Sequence, residues 1–429
     1  MLAQTVLPFK LDTTEDTMTA QAGLVLFGEY VHALGVPSHF DRELPGPLNS
    51  MGYKPSVYGM SVVLMLQGGG RSLEDLRMLR TDEGLRSLLN LTVLPSSDAT
   101  GDWLRRMGAG EGLDGLSRVS RRLLHKWLRK EARNEYTLDI DATQIVAEKE
   151  TAKWTYQGEK GYMPLVGTLA ENGLMVGDEF REGNAAPASG NLEFIRHCEQ
   201  QLPRGKRIVA VRADSAAYQA AILNHCEATG KRFAIGADLD AAVKGVIGEI
   251  SETAWVKWRA AEVAETVHSM NKTQKAFRLI VVRRPQQGDL FDESIPRYRY
   301  TAVASNRTES ATEVLEWYAQ RGETSENRIK ELKLGFGMER MPCGQFEANA
   351  VFFRLGVLAY NLCQGFKRWA LQKEWRRHQV QTLRWRLYQV AGKVVRHGGR
   401  VYLKVRENLI ELFEHIRTQC WLLANEWQT

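Results

Sequence analysis

The chain has 429 residues, of which 44% are hydrophobic and 25% are charged, with a formal net charge of +6 and a pI near 9.0. This composition is typical of a globular protein with a real core, and the length corresponds to about three domains. No run of about 18 apolar residues and no secretory signal occur, and the five cysteines are scattered without CxxC pairs, so we expect no membrane span, no disulfide framework, no structural zinc and a reducing cytoplasm.

The first part of the chain has a helical pattern. Residues 1–15 look like a loose or strand-like arm, and helical spacing runs over residues 19–130, with Ser72 and Ser97 as candidate N-caps. A short helix after Ser97 carries one tryptophan and two arginines, as a DNA-recognition helix would. We therefore predict a helical N-terminal DNA-binding region over 1–134, although a purely structural helical domain fits the pattern equally well.

At residue 135 the pattern changes to alternating strands and helices. TLDIDATQIVAE, GYMPLVGTLAE and NGLMVGDEF alternate apolar and polar residues and predict three strands in a meander. GNLEFIRHCEQQL and SAAYQAAILNHCEATG then predict helices, each followed by an apolar strand, KRIVAVRADS and KRFAIGAD. This order predicts the α/β class and an RNase H-like catalytic core, a mixed sheet with helices, whose first part spans 135–239.

The rest of the chain predicts an insertion, the return of the core, and a basic C-terminal region. Residues 240–307 predict a β-rich insertion, 308–345 a helix of the core that bears a glutamate, and 346–429 a basic helical region. Between residues 367 and 406 there are twelve Lys and Arg but one acidic residue, and three tryptophans are interleaved with the cations. This stretch indicates a surface that contacts phosphates, or else a solvated helical face.

Two aspartates lie at or near the ends of apolar, strand-like runs. In LDIDAT, Asp139 and Asp141 are two residues apart and share one face of a strand, so the period alone does not choose between them. The position at the end of the run favours Asp141. In VRADS, Asp214 ends a strand and precedes a helix, so a simple N-cap role is the alternative.

The helix YAQRGETSENRIKELK adds a third carboxylate. Glu326, Lys330 and Lys333 follow helical spacing on one face, which favours Glu326 over Glu323, although an ordinary surface ladder of ion pairs has the same spacing. Two divalent ions about 3.5–4 Å apart catalyse in-line displacement at phosphorus, and Mg²⁺ prefers carboxylate oxygens. The three carboxylates on a basic chain therefore predict a metal-dependent enzyme that acts on a polyanion.

LDIDAT, VRADS and YAQRGETSENRIKELK resemble the three catalytic blocks of DDE insertion-sequence transposases, specifically the thirteen-eighty family of the Y-R-E-K group. KGYMPLVGTLAENGLMVGDEFREGN and ELKLGFGMERMPCGQFEANAVFF resemble the same family. The resemblance covers residues 20–370 and places the three blocks in the family order. One spacing departs from the signature, which usually has three residues between its Arg and Glu, because four residues separate Arg321 from Glu326 here.

The resemblance implies a DNA transposase that binds the terminal inverted repeats of an insertion sequence. It implies cut-and-paste strand cleavage and strand transfer with two Mg²⁺ ions, or Mn²⁺ in their place, held by the catalytic residues Asp141, Asp214 and Glu326. The DNA contacts that the resemblance implies are Tyr318, Arg321 and Lys333, and the helical spacing beside Glu326 adds Lys330.

The implied partners are double-stranded DNA, both element ends and target, and a second copy of the chain in a homodimer on paired ends. No membrane is implied, and the implied location is the nucleoid of a bacterial cytoplasm. Two rival functions share these residues, namely an RNase H-like nuclease without strand transfer and a catalytically inactive, domesticated DNA-binding protein.

Overall fold

A computed structural model describes residue 7, residues 9–286 and residues 297–426, and at position 323 it describes the backbone alone. The protein combines helices with a large mixed sheet and belongs to the α/β class. Within the described ranges, no helix is both long and apolar enough to cross a bilayer.

The N-terminal region is helical, as its pattern predicts. A short strand precedes the helices, which are bounded as follows: β1 (Thr17–Thr19), α1 (Leu24–Ala33), α2 (Val36–Glu43), α3 (Pro55–Gly68), α4 (Leu76–Thr81), α5 (Glu83–Leu88), α6 (Ser97–Ala109) and α7 (Gly112–Lys130). Ser72 forms a capping box with Asp75. The cap of α6 is Ser96, one residue before the predicted Ser97, because its side chain accepts the Ala99 amide at 3.1 Å.

The middle of the chain follows the predicted alternation of strands and helices. The elements are β2 (Glu135–Ala142), β3 (Ile145–Val146), β4 (Lys153–Trp154), β5 (Lys160–Tyr162), β6 (Leu165–Leu169), β7 (Met175–Glu179), α8 (Asn191–Gln200), β8 (Arg207–Ala213), α9 (Ala220–Ala228) and β9 (Arg232–Ala237). The short strands β3, β4 and β5 form a small separate sheet, which the sequence pattern does not indicate.

The predicted β-rich segment supplies one helix and four strands in its described part, whereas its residues 287–296 lie outside the description. The helix is α10 (Ala241–Gly248), and the four strands are β10 (Val256–Trp258), β11 (Ala261–His268), β12 (Phe277–Pro285) and β13 (Tyr298–Ser305). These strands do not form a sheet of their own. They extend the large sheet, because β13 pairs with β9 through Ala302–Ala237 to Ser305–Ala234.

Nine described strands form the large sheet in the order β10-β11-β12-β13-β9-β8-β2-β6-β7. Neighbouring strands are antiparallel except for two pairs, β2 with β8 and β8 with β9. The carboxyl ends of β2, β8 and β9 therefore meet at one edge, which is where open sheets with parallel strands bind ligands.

The C-terminal part contains a hairpin as well as helices. Its elements, from the end of the sheet onward, are α11 (Ala311–Arg321), α12 (Asn327–Lys330), α13 (Phe346–Trp369), α14 (Val380–Leu383), β14 (Gly392–His397), β15 (Arg400–Lys404) and α15 (Glu407–Glu426). The prediction of a helical region over 346–429 missed β14 and β15, which pair with each other and with β1.

Helix α13 lies at the centre of the molecule. Eighteen of its residues are buried, so it is apolar on all sides, as a core helix is. Its Asn361 side chain bonds both the amide and the carbonyl of Met175 in β7, and its Arg354 pairs with Asp178 at 3.0 Å. The helix thereby joins the N-terminal helices to the edge of the large sheet.

Part of the basic C-terminal stretch is structural. Arg384 is 3% exposed and donates to the carbonyls of Leu66, Gln67 and Gly335, which stabilises the carboxyl end of α3. Lys367 is also buried and donates to the His378 carbonyl at 3.0 Å. The stretch is therefore not a uniformly exposed surface, because these two cations are held inside the fold, and contact of its exposed cations with phosphates stays a prediction.

Candidate active site

Two aspartates lie at the carboxyl ends of neighbouring parallel strands. Asp141 is the penultimate residue of β2, and Asp214 directly follows β8. The Asp214 carboxylate accepts a hydrogen bond from the Ala216 amide at 3.1 Å. Asp214 thus has the N-cap role that its sequence allowed, and this bond holds its carboxylate at the edge of the sheet where Asp141 also lies.

Glu326 reaches the same edge from a π-helical turn. The turn, Gly322–Glu326, joins α11 to α12 and packs against β2. Residues five apart in a π turn lie one above the other, whereas the corresponding separation in an α-helix is four. The four residues between Arg321 and Glu326, one more than the signature has, are therefore accommodated without turning Glu326 away from Arg321.

The Asp141 carboxylate is influenced by the other two carboxylates and by one arginine. Burial raises the pKa of Asp141 to about 6; the Arg321 guanidinium opposes this rise, whereas the Asp214 and Glu326 carboxylates add to it. Arg321 Nη2 lies 3.0 Å from Asp141 Oδ2, and the two side chains are 9% and 15% exposed. A partly buried group of carboxylates with one raised pKa is typical of a functional site.

Asp139 has a different environment from Asp141, although both face the helix that follows the sheet. The Asp139 side chain is fully buried and pairs with Arg212 of β8 through two bonds of 2.7 and 2.9 Å. It also accepts from the Thr324 hydroxyl at 2.8 Å, and Arg212 donates to the Trp317 carbonyl at 2.6 Å. Its oxygens are therefore occupied by internal partners, which leaves Asp141 as the aspartate of β2 available to a ligand.

The predicted lysines line a cavity beside the carboxylates. A cavity of about 370 Å³ is lined by Asp141, Glu326, Lys330 and Lys333, among others. Lys330 is exposed, whereas Lys333 is half-buried and donates to the Gln144 carbonyl at 2.7 Å. Burial lowers the pKa of Lys333. The cavity thus combines acidic groups with cations, as a site for a phosphodiester and its metal ions requires.

Tyr318 and Arg321 pack inside the site. The Tyr318 hydroxyl lies so close to β9 that a Cβ on Gly236 would come within 2.9 Å of it, so a side chain there would displace the hydroxyl. Arg321 is buried against Asp141, and the DNA contact assigned to it from the sequence stays a prediction. The side chain of Glu323, the alternative to Glu326, lies outside the described part of the structure.

The carboxylates of Asp141, Asp214 and Glu326 are of the ligand type that a hard divalent cation prefers. Within residues 9–286 and 297–426, no group of three or more His, Cys, Asp or Glu side chains converges closely enough to hold a metal ion. The Asp214 and Glu326 carboxylates nevertheless both raise the pKa of Asp141, and carboxylate oxygens are the ligands that Mg²⁺ prefers. The guanidinium of Arg321 already places a positive charge beside Asp141, as a bound cation would. The residues therefore fit a Mg²⁺ site in charge and ligand type.

Sequence reasoning missed two arginines that organise this site. Arg321 was expected to contact DNA, and its pairing with Asp141 was not foreseen. Arg212 lies in β8, two residues before Asp214, and an arginine inside an apolar strand is rare enough to indicate a buried partner.

The raised pKa of Asp141 predicts a pH-dependent difference in stability. Between about pH 4 and 6 the folded wild type binds more protons than the unfolded chain, so its stability falls as pH rises through this window. Asp141→Asn cannot titrate there. Its unfolding free energy relative to the wild type should therefore increase with pH, by about 1.4 kcal/mol per unit of pKa difference. Urea unfolding in metal-free buffer below, within and above the window tests this, and a constant difference would contradict it.

Comparisons with known proteins place the chain in a family. No curated protein sequence matches it. Among solved structures, the cryo-EM structure of a piggyBac transposase synaptic complex with hairpin DNA aligns with a TM-score of 0.48 and 9% identity, over 96% of this chain and 83% of that one. Residues 6–418 match the family model described as transposase DDE domain group 1. Because the match spans nearly the whole chain, the protein belongs to this family of DDE transposases.

Proposed function

We propose that the protein is a cut-and-paste DNA transposase that acts on the ends of an insertion sequence. Asp141, Asp214 and Glu326 are its catalytic and metal-binding residues in this proposal. The observation that supports it is geometric: Asp141 and Asp214 lie at the carboxyl ends of neighbouring parallel strands, and Asp141 and Glu326 line one cavity. The proposal also assigns the chain to the thirteen-eighty family with its Y-R-E-K signature, and its central domain to an RNase H-like core.

Each residue of the site has a distinct task in this proposal. Bound Mg²⁺, or Mn²⁺ in its place, would activate the attacking oxygen and stabilise the leaving oxygen of an in-line displacement. Asp141 and Asp214 supply charge from two rigid strands, and Glu326 supplies it from the helical side. Lys330 and Lys333 bind phosphate oxygens of the DNA in the cavity, and the half-buried Lys333 is held in place by its bond to the Gln144 carbonyl.

The arginine and tyrosine of the signature help to order the site. Arg321 neutralises Asp141 before a cation binds, because its guanidinium already pairs with that carboxylate. With Mg²⁺ bound, that ion would balance the charge of Asp141, and Arg321 and Tyr318 would contact the DNA near the cleaved end. The protein would act as a homodimer on paired ends, in the nucleoid of a bacterial cytoplasm, with residues 1–134 and 346–429 adding DNA contacts.

A strand-transfer assay tests this function. Two duplexes with the sequences that bracket the gene are incubated with a target plasmid in Mg²⁺: one is uncut and reports cleavage, and one ends in a free 3′ hydroxyl and reports joining. We expect joined products from the wild type and neither cutting nor joining from Asp214→Ala, which should still bind the DNA. Full cleavage by Asp214→Ala would disprove the mechanism. Cutting without joining would indicate a nuclease, and binding without either reaction a domesticated DNA-binding protein.

A further inference from the structure

A second cavity lies on the other side of the helix that bears Glu326. We call this cavity of about 440 Å³ the basic pocket, and α12 separates it from the site described above. Asn327, Arg328 and Glu331 line the basic pocket, whereas Glu326, Ile329 and Lys330 line the site. The two cavities therefore share one short helical segment as their common wall.

The basic pocket is strongly positive. Two carboxylates, Glu171 and Glu331, face five cations in its lining, which are Arg328, Lys367, Arg368, Arg376 and Arg377. Such an excess of guanidinium and ammonium groups in one concave surface favours an anion, and planar guanidinium groups match phosphate oxygens in particular.

Several of these cations lack an acidic partner. Lys367 approaches Glu331 at 4.0 Å, and Arg368 pairs with Glu131 at 2.8 Å. Arg328 donates to the carbonyls of Leu169 and Ala170, which leaves its charge uncompensated. Within the described residues, Arg376 and Arg377 form no ion pair either, and both are exposed.

A buried hydroxyl in the same lining has no partner. Tyr360 of α13 is fully buried and lines the pocket, and its hydroxyl forms no hydrogen bond with any described residue. Burial raises the pKa of this hydroxyl well above its ordinary value, so the group keeps its proton and remains a donor. A buried donor without an acceptor is rare in proteins and indicates a ligand or water that accepts from it.

We propose that the basic pocket binds a backbone phosphate of double-stranded DNA. Resting on the proposed function, this gives the chain a DNA-backbone site behind the helix of Glu326 in addition to the catalytic cavity in front of it. Arg376 and Arg377 meet the phosphate from the exposed side, and Tyr360 donates to one of its oxygens from within. DNA held on both sides of α12 would fix the position of Glu326 relative to the scissile bond.

Two matched substitutions test the pocket. Lys373 and Arg377 lie on the same 3₁₀ turn, Lys373–Arg377, and both are exposed, but only Arg377 lines the pocket. Affinity for a duplex of arbitrary sequence is measured by fluorescence anisotropy over a salt series, in EDTA so that no cleavage occurs. Arg377→Gln should weaken binding several-fold and lower the slope of log K against log salt by about 1, whereas Lys373→Gln should change both less. Equal effects of the two substitutions would overturn the proposal.

Tyr360→Phe supplies an independent measurement. Removal of an unpartnered buried hydroxyl should leave the Tm of the free protein unchanged or raise it, and should weaken duplex binding. If Tyr360→Phe binds DNA as tightly as the wild type, the Tyr360 hydroxyl does not contact the phosphate. If Tyr360→Phe does not fold, the comparison of Arg377 with Lys373 decides the matter alone, because both side chains are exposed.

Further measurements distinguish a site for a DNA phosphate from a site for free phosphate, and separate failure of the pocket proposal from failure of the transposase function. If inorganic phosphate raises the Tm of the wild type but not of Arg377→Gln, and duplex binding is the same in both, the pocket holds free phosphate and not DNA. If the wild type binds and joins DNA while Arg377→Gln matches it in affinity and salt slope, the pocket proposal fails and the transposase function stands. If the wild type binds no duplex, both fail.

Discussion

Asp141→Asn should reduce DNA cleavage at least about 1,000-fold, which corresponds to about 4 kcal/mol of lost transition-state stabilisation. Asparagine keeps the shape of the side chain and one of its oxygens, but it has no negative charge with which to hold a cation. DNA binding should persist, because the cations that line the cavity are unchanged. Cleavage of end-sequence duplexes in Mg²⁺ measures the first effect, and a binding assay in EDTA measures the second.

Glu316→Gln is the matched control for this experiment. Glu316 is an exposed carboxylate of α11, on the same helical run as Glu326, and it pairs with Arg259 at 3.2 Å. An exposed ion pair contributes little, so the cleavage rate of Glu316→Gln should stay within about twofold of the wild type. If Asp141→Asn also cleaved within about tenfold of the wild type, Asp141 could not be a metal-binding residue of the reaction.

Arg212→Met should lower the free energy of unfolding by about 3–5 kcal/mol. The substitution leaves the fully buried Asp139 carboxylate without its guanidinium partner, and an unpaired charge in the interior is strongly unfavourable. It also removes the bonds from Arg212 to the Trp317 carbonyl and the Thr324 hydroxyl, which tie β8 to α11 and to the turn of Glu326. Denaturant unfolding followed by circular dichroism measures the loss.

Two further variants show whether the buried pair is responsible. Asp139→Asn combined with Arg212→Met should recover part of the lost stability, because the uncompensated charge is gone. Arg207→Met, at the exposed start of the same strand, removes a surface pair with Glu135 and should change stability by at most about 1 kcal/mol. Equal midpoints for Arg212→Met and the wild type would show that Asp139 does not depend on Arg212.

Elements whose patterns are local were predictable from the sequence. The strand of LDIDAT, the apolar strand that precedes Asp214, and the helices α8 and α9 all lie where alternation and apolar runs place them. The hairpin of β14 and β15 was missed although Gly398 and Gly399, both with positive φ, form the two-residue turn that favours a hairpin. The pairing of β14 with β1, from the far end of the chain, is a tertiary contact that no local pattern predicts.

The same limit applies to the basic stretch after residue 367. Composition alone assigns all of its cations to a surface. Arg384, however, lies in the interior and binds carbonyls of α3, whereas Arg377 lies exposed at the basic pocket. Burial therefore separates structural cations from those available to DNA, and burial depends on how α13 and α14 pack on the N-terminal helices.

The sequence by itself predicted which residues would carry the chemistry, because acidic groups at the ends of apolar runs and a glutamate on a basic helix are local features. Only the tertiary structure distinguishes the two aspartates of β2, since Asp139 is fully buried against Arg212, which is 73 residues away in the chain, whereas Asp141 pairs with Arg321 and lines a cavity. The structure also explains the extra residue after Arg321, which a π turn absorbs. The physical reason is that the charge state and role of a carboxylate depend on burial and on the distance to partners that only folding brings near.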